Sequence, residues 1–271
     1  MKQFRDRVAV VTGAGSGIGR ALGVLLAEQG CRVALADVNQ AGLVETERLI
    51  ASQGATARTY HVDVSERDAM QAFAESIVRE FGAVHILVNN AGVSVVGQFA
   101  DQSLEDFDWL MGVNFWGVVH GCKFFLPHLM AAEEAHIVNI SSVFGLAGVP
   151  YHSSYCASKF AVRGFSESLR AELADTHVGV TSVHPGGVAT NIVTSTRARG
   201  EQAQANIGRA VERFKTFMAP EQVARAIVTG IKRKRTRVLI APETHVIDAL
   251  RRAAPSASNA LLDWGFKRFQ A

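Results

Sequence analysis

The sequence predicts one α/β domain built on a parallel, doubly wound sheet with helices on both faces. Short β-branched runs alternate with long amphipathic stretches along nearly all of the 271 residues. Most of these runs are apolar on both faces, as strands covered by helices on either side must be. No repeat of ~20–50 residues and no low-complexity linker divides the chain. Such alternation winds into a parallel sheet through right-handed crossovers.

The strands are expected at Val8–Thr12, Arg32–Asp37, Arg58–Asp63, His85–Asn89, His136–Ile140, Gly179–His184 and Arg237–Ile240. Arg58–Asp63 is more polar than the rest and is placed at a sheet edge. Between strands the sequence carries helical periodicity and start signals. Ser65 followed by Asp68 resembles a capping box, with Asp in place of the usual Glu, before a helix ending near Phe81-Gly82. The polar stretch 191–219 is too long for a plain connection and reads as a substrate lid, with Phe214, Phe217 and Met218 on a short amphipathic segment. A C-terminal extension, 242–271, offers a helix over Thr244–Ala254 stopped by Pro255, then Leu261, Leu262, Trp264, Phe266 and Phe269.

Composition narrows the function classes. Hydrophobic residues make up 48% and charged ones 20%, which fits a folded domain and not a disordered one. No apolar run approaches the ~18–20 residues of a membrane span, and Val8–Val11 is too short for a secretory core. Cys31, Cys122 and Cys156 form no CxxC pair and no even framework, so a reducing cytoplasm is expected. Net charge is +3, too weak to indicate nucleic acid. The nine histidines show no HxxxH or HExxH spacing, and no metal site is expected.

Directly after the first strand comes Thr12-Gly13-Ala14-Gly15-Ser16-Gly17-Ile18-Gly19. Glycines let backbone approach a pyrophosphate, and the helix that follows presents unpaired N–H groups and a positive dipole end to the anion. Asp37 closes the next strand, where a carboxylate can bind both ribose hydroxyls of NAD and repel the 2′-phosphate of NADP. No Arg or Lys follows at Val38 or Asn39, and Ser16 is uncharged. NAD is therefore expected over NADP.

The GxxxGxG spacing of Thr12–Gly19 resembles the fingerprint of the short-chain dehydrogenase/reductase family. The resemblance continues in order through Asn89-Asn90-Ala91-Gly92, Asn114, Ser142, Tyr155-Cys156-Ala157-Ser158-Lys159 and Pro185-Gly186, and covers residues 5 to 242. It implies a seven-stranded Rossmann sheet with a nicotinamide cofactor across its carboxyl edge. It further implies that Gly13, Ser16, Gly17, Ile18 and Gly19 cradle phosphate, that Asp63 and Val64 hold the adenine, and that Asn90, Ala91 and Gly92 line the cofactor's middle. Pro185, Gly186, Val188 and Thr190 would surround the nicotinamide. Homotetramers through the helices bearing Asn114 and Tyr155 are common in the family, so a dimer or tetramer is expected, with Trp109, Trp116 and Phe124 as candidate interface residues.

Hydride transfer at a carbinol carbon needs a proton to leave or join the oxygen. Tyr155 and Lys159 stand four apart on a predicted helix and share a face. A lysine ammonium ~4 Å away contributes roughly 4 kcal/mol at an effective dielectric of ~20, enough to bring a phenol from about 10 to about 7. Desolvation opposes this, and the positive nicotinamide of NAD⁺ supplies part of the remainder. Ser142 ends a strand at the carboxyl edge and can donate to the substrate oxygen; Ser141 is the alternative, and family spacing selects Ser142. Asn114 matches the asparagine that holds a water between the lysine and solvent. Catalytic Asn114, Ser142, Tyr155 and Lys159 are thus all present, with Tyr155 and Lys159 also meeting the cofactor.

Candidate substrate walls are Val93, Val95, Phe144, Leu146, Val149, Tyr151, Ile192 and the lid aromatics, with Ser142, Phe144, Tyr155 and Ile192 as the substrate-binding set. Most are apolar, which points to a hydrophobic secondary alcohol or ketone. His152 and Arg197 are read as solvated, and His184 as fixing backbone rather than catalysing. The run Lys232-Arg233-Lys234-Arg235-Thr236-Arg237 reads as a solvated helix end, with a peripheral anionic membrane contact as the lesser alternative. Against an NAD-dependent alcohol dehydrogenase stand two other readings: an NADPH-dependent β-ketoacyl-type reductase, and a catalytically silent dinucleotide-binding regulator.

Overall fold

A computed structural model describes residues 1, 3–214 and 216–258 of the chain. Seven parallel strands form the main sheet: β1 (Val8–Thr12), β2 (Arg32–Asp37), β3 (Ala57–His61), β4 (Ile86–Asn89), β6 (Ala135–Ile140), β7 (Val178–Pro185) and β9 (Arg237–Ile240). Their order is β3-β2-β1-β4-β6-β7-β9. The two halves wind in opposite directions from β1 and β4, so the loops leaving those neighbours diverge and open a crevice at the carboxyl edge.

Side-chain alternation in the strands builds two cores. From β1, Ala9 and Val11 join one cluster, while Val8 and Val10 join the other. The first is covered by helices α1 (Gly17–Glu28), α2 (Gln40–Ala51) and α8 (Pro220–Lys232), through Leu22, Leu26, Leu43, Ile50, Val223 and Ile227. The second takes α3 (Arg67–Phe81), α5 (Gly117–Ala131) and α6 (Ser153–Glu172), through Met70, Phe73, Ile77, Phe125 and Val162. Strands buried on both faces are why the sequence runs are continuously apolar.

β3 lies at the sheet edge, as its polarity predicts. The helix after it ends as expected, on Gly82 in the left-handed region (φ 79°), a conformation glycine adopts at no steric cost. Its start differs from the expected capping box. The Ser65 N–H and hydroxyl both donate to Asp63 Oδ1, at 2.9 and 2.7 Å. Glu66 becomes the N-cap of α3, without a side-chain cap bond. A carboxylate two residues back is the stronger acceptor and captures the hydroxyl first.

The excursion after β7 is more ordered than its composition suggests. Arg197–Ala198 forms β8, pairing in parallel with β5 (Val95–Val96), and α7 spans Glu201–Phe214. The segment returns at Met218, which bridges Val188, and Ala189 N–H donates to Met218 O. Its base is clasped to α4 (Leu104–Met111). Buried Asp106 accepts from Arg199 Nε and Nη2 at 2.6 and 2.7 Å and from Arg197 Nη1 at 3.2 Å. The Arg197 guanidinium also lies over the Trp109 ring, 3.5 Å from its centroid. Arg197, expected to be solvated, stays partly exposed while its guanidinium clamps Asp106 and Trp109.

α9 (Pro242–Ala253) ends two residues before Pro255, and the chain is helical again over 255–258. Leu261, Leu262, Trp264, Phe266 and Phe269, and the Phe214 side chain, lie outside the described residues. Lys232 occupies the last turn of α8 and Lys234 pairs with Glu134, so the basic run closes a helix as expected. With Arg7 and Arg233 it borders an open cavity of about 520 Å³ at the amino edge of the sheet. The chemistry-bearing residues collect at the opposite edge, so cavity size does not locate the site. Among the described residues no helix is long and apolar enough to cross a membrane.

The clasp yields a measurable consequence. Its guanidinium groups hold the Asp106 carboxyl down at about 2. Because both arginines are partly exposed, we expect Asp106→Asn to cost about 1–3 kcal/mol, a drop of several degrees in Tm at neutral pH. A carboxyl whose folded pKa is depressed stabilises above its ordinary value, near 4, and loses that contribution as pH falls toward 2. The Tm gap between wild type and variant should therefore close over that acidic range in calorimetry. A gap independent of pH would exclude the clasp.

Candidate active site

Two constructions meet at the carboxyl edge. The first is the glycine loop between β1 and α1. Gly13 has φ +64°, and a Cβ there would lie 2.7 Å from Ala91 Cα. Gly17 has φ +52° and packs against Thr190 from the far side of the sheet. A Cβ on Gly19 would collide with Gly13 O and come within 2.5 Å of Asn90 Nδ2. Ser16 is the N-cap of α1 but makes no side-chain cap bond, and the first turn, which includes Ile18, carries no acid. Its amides therefore face the crevice without a capping side chain, which suits a phosphate.

Asp37 ends β2 beside this loop. Its carboxylate accepts from Gly15 N–H at 2.8 Å and from Asn39 N–H at 2.9 Å, so both oxygens are oriented by backbone. Thr12 has a larger part than its motif position indicates. Its hydroxyl accepts from Asn90 and Ala91 N–H at 3.0 and 3.1 Å, and Asn90 Nδ2 returns to Thr12 O and Gly13 O. These bonds lock the loop after β4 to the loop after β1. Asp63 is held in its turn with Ser65, and Val64 O meets His120 Nδ1 at 3.1 Å. The residues present fit a dinucleotide: glycines where side chains would collide, uncapped amides, and a fixed carboxylate one strand away.

The second construction is the polar cluster on β6 and α6. Lys159 is buried at 3% exposure, and its Nζ donates to Ile140 O at 3.1 Å. No carboxylate pairs with it among the described residues, and burial pushes it down to about 8. Asn114 is fully buried in a π-helical turn, Gly112–Trp116, that joins α4 to α5. Its Oδ1 accepts from Val93 N–H at 2.8 Å, while Nδ2 donates to Val93 O and Ser158 Oγ. The amide is committed to protein, so a water link of the expected kind would have to use its main chain, which the π turn loosens. A Cβ on Gly92 would sit 3.3 Å from Asn114 Oδ1 and 3.5 Å from Lys159 Nζ, so these groups converge on that glycine.

Tyr155 stands one turn before Lys159, whose Nζ lies 5.6 Å from the phenol ring centroid. Here the electrostatic expectation is corrected. Burial pushes the Tyr155 phenol up to about 12, opposed by a hydrogen bond with Ser142, and the lysine does not offset the burial. The reason is geometric: the ammonium sits nearer the Ile140 carbonyl than to any anion, and desolvation of the phenolate dominates. In the free chain Tyr155 is a protonated phenol.

Ser142 follows β6, extended, with Oγ accepting from Phe144 N–H at 3.1 Å. Ser141 is turned away, donating to Lys159 O, so its hydroxyl is engaged within the framework. Phe144 packs edge-on against Tyr155 at 6.0 Å and against His152 at 5.2 Å. His152, expected to be solvated, is thus half-buried beside the phenol. Val95 and Leu146, expected as pocket walls, are fully buried in the framework and line no open surface. Ile192 sits in the turn after β7, its carbonyl accepting from Thr196. Pro185, Gly186, Val188 and Thr190 run along the same edge. Phe217 packs on Gly187, and Glu243 of α9 approaches Gly187 N–H at 3.4 Å. The motif pattern marked Thr12 only as the start of the glycine loop and did not mark α9, because what they do comes from contacts between distant segments. The three cysteines are free and buried, which raises their thiols and leaves them unreactive.

A family model described as short chain dehydrogenase matches residues 7–201. The chain is 42% identical to the candidate oxidoreductase SadH of Mycobacterium tuberculosis, over 99% of this chain and 98% of that protein. A short chain dehydrogenase/reductase from Burkholderia phymatum, solved in complex with NAD, superposes with a TM-score of 0.89 at 34% identity, covering 95% of this chain and 97% of that one. A metagenomic short-chain oxidoreductase in complex with NADP gives 0.74 at 30% identity, covering 89% and 99%.

The packing of the glycine loop can be checked without any substrate. Gly19→Ala should force Gly13 and Asn90 apart, cost about 1–3 kcal/mol, and weaken NADH binding followed by fluorescence. Unchanged Tm and NADH affinity would show that the loop does not pack against the β4 turn in this way.

Proposed function

The chain belongs to the short-chain dehydrogenase/reductase family of oxidoreductases, and we propose that within it this protein interconverts a hydrophobic secondary alcohol and its ketone, using NAD in preference to NADP. The observation that carries the reading is the convergence of Ser142, Tyr155, Lys159 and Asn114 at the carboxyl edge, beside a glycine loop leading into a helix whose N-cap residue Ser16 makes no side-chain cap bond.

When bound, the nicotinamide supplies a carbon that takes or gives hydride. The rest of the work falls to the chain. Ser142 Oγ, oriented by Phe144 N–H, meets the substrate oxygen and steadies negative charge as it develops there. Tyr155 exchanges the proton with that oxygen. Its protonated resting state suits ketone reduction directly; alcohol oxidation requires positive charge to arrive beside it and bring the phenol down. Lys159, held near 8 with its Nζ 5.6 Å from the ring centroid, would hold the nicotinamide ribose when the cofactor binds. Asn114 fixes the Val93 loop and, through its main chain, the proton route from Lys159 to solvent. Phe144 beside Tyr155 and Phe217 over Gly187 give the reacting centre apolar walls, which supports a hydrophobic substrate.

Asp37 supports NAD. Two backbone N–H groups hold its carboxylate where the adenosine ribose hydroxyls would lie, and a 2′-phosphate would meet that charge. The three free, buried cysteines are in keeping with a reducing cytoplasm.

Two results would decide the matter. In a panel of hydrophobic secondary alcohols with NAD⁺ at alkaline pH, Tyr155→Phe should lower kcat by roughly 10²–10⁴-fold while NADH still binds; retained turnover would remove the proton path, and NADH binding with no turnover by wild type on any alcohol or ketone would favour a silent regulator. Asp37→Ala should narrow the NADH-to-NADPH preference by about tenfold or more, and an unchanged ratio would remove its selective role.

A further inference from the structure

His184 is a buried titratable group behind Ser142 that the mechanism leaves unused. It is fully buried near the end of β7, and both ring nitrogens are engaged. Nδ1 lies 3.1 Å from the main-chain oxygen of Ser142, and Nε2 lies 3.0 Å from Ser182 Oγ. A carbonyl oxygen only accepts, so Nδ1 carries the proton; in a neutral ring Nε2 then accepts from the Ser182 hydroxyl. Burial favours that neutral ring, pushing His184 down to about 4.

The backbone explains why a side chain is needed here. The β6–β7 ladder reaches Ser141 N–H donating to Val183 O at 2.8 Å. Its next donor on β7 would be the N–H of residue 185, and Pro185 has none. That missing bond would have gone to Ser141 O; one residue on, the Ser142 carbonyl takes its donor from the His184 ring. On its other side Ser142 takes Phe144 N–H on Oγ, and its hydroxyl acts to lower the Tyr155 phenol.

We propose that His184 is a positioning residue for the reaction: through Nδ1–H it holds the Ser142 peptide, and so fixes the Ser142 hydroxyl against Tyr155 at the point where the substrate oxygen is received. This rests on the reading that Ser142 meets that oxygen. Nothing in the pairing calls for His184 to touch substrate or cofactor.

The test compares wild type with His184→Leu, His184→Asn, Ser142→Ala and the Ser142→Ala/His184→Leu double variant. Each is assayed with NAD⁺ and cyclohexanol, or the alcohol of the panel above that turns over fastest, alongside NADH titration and Tm. His184→Leu should lower kcat by roughly 10–100-fold, a part of what loss of an oxyanion donor costs, with NADH affinity changed less than about twofold. His184→Asn places an amide N–H where Nδ1 stood and gives up the Ser182 bond; it should recover kcat to within about threefold of wild type. The double variant should be no slower than Ser142→Ala alone, because one group acts through the other. An Asn variant as slow as the Leu variant, or losses that multiply in the double variant, would overturn the proposal while leaving the role of Ser142 intact. Full turnover by Ser142→Ala would instead overturn the underlying reading, and the proposal with it.

Discussion

An ammonium taken out of water has to be held by something, and around Lys159 the protein provides neutral oxygens only. Its Nζ donates to the last carbonyl of β6, and no carboxylate pairs with it among the described residues. A buried cation without a counter-charge is costly and persists only where the surroundings fix it. Much of the carboxyl edge can be read as that fixing. Ser141 ties the Lys159 main chain to the end of β6, and Gly92 leaves room for both Nζ and the Asn114 amide. The π turn brings Asn114 into reach of Val93 and Ser158. Four segments far apart in sequence are thereby pinned around one charge.

The same arrangement accounts for the state of the phenol. Burial raises Tyr155 and lowers Lys159, so each is biased toward its neutral form before anything binds. A site in this condition is sensitive to the next charge that enters it, since in a poorly solvated crevice an added charge acts with little screening. The acidity of Tyr155 is therefore a property of the loaded site more than of the Tyr–Lys pair, and the spacing of four residues supplies proximity without supplying the shift.

At the other end of the crevice the controlling fact is topological. β1 and β4 are neighbours whose following loops part company, and Thr12 and Asn90 bind the two loops to each other at the divide. Glycine is required there because backbone from both loops occupies the space a Cβ would need. The excursion after β7 is anchored in a comparable way, by an acid buried in α4 and by Arg197 of β8 with Arg199 just beyond it, so that a polar stretch of chain acquires a defined base.

What the sequence determined by itself was whatever depends on local pattern. Doubly apolar runs located the seven strands within a residue or two, Gly82 closed α3, the polarity of β3 placed it at the edge, and the glycine loop, Tyr155 and Lys159 follow from strand ends and helix spacing that bring them to one edge of the sheet. What only the tertiary structure decided was whatever depends on which groups compete for a partner. Ser65 lost its capping role to Asp63, Arg197 and His152 became half-buried against Asp106 and Phe144, and Val95 and Leu146 sank into the framework. The balance between burial and attraction at Tyr155, and the reach of His184 to Ser142, belong to the same class. Spacing along a chain fixes which face a side chain occupies, but the strength of a charge or a hydrogen bond is set by everything else packed against it, and that is known only once the distant segments have met.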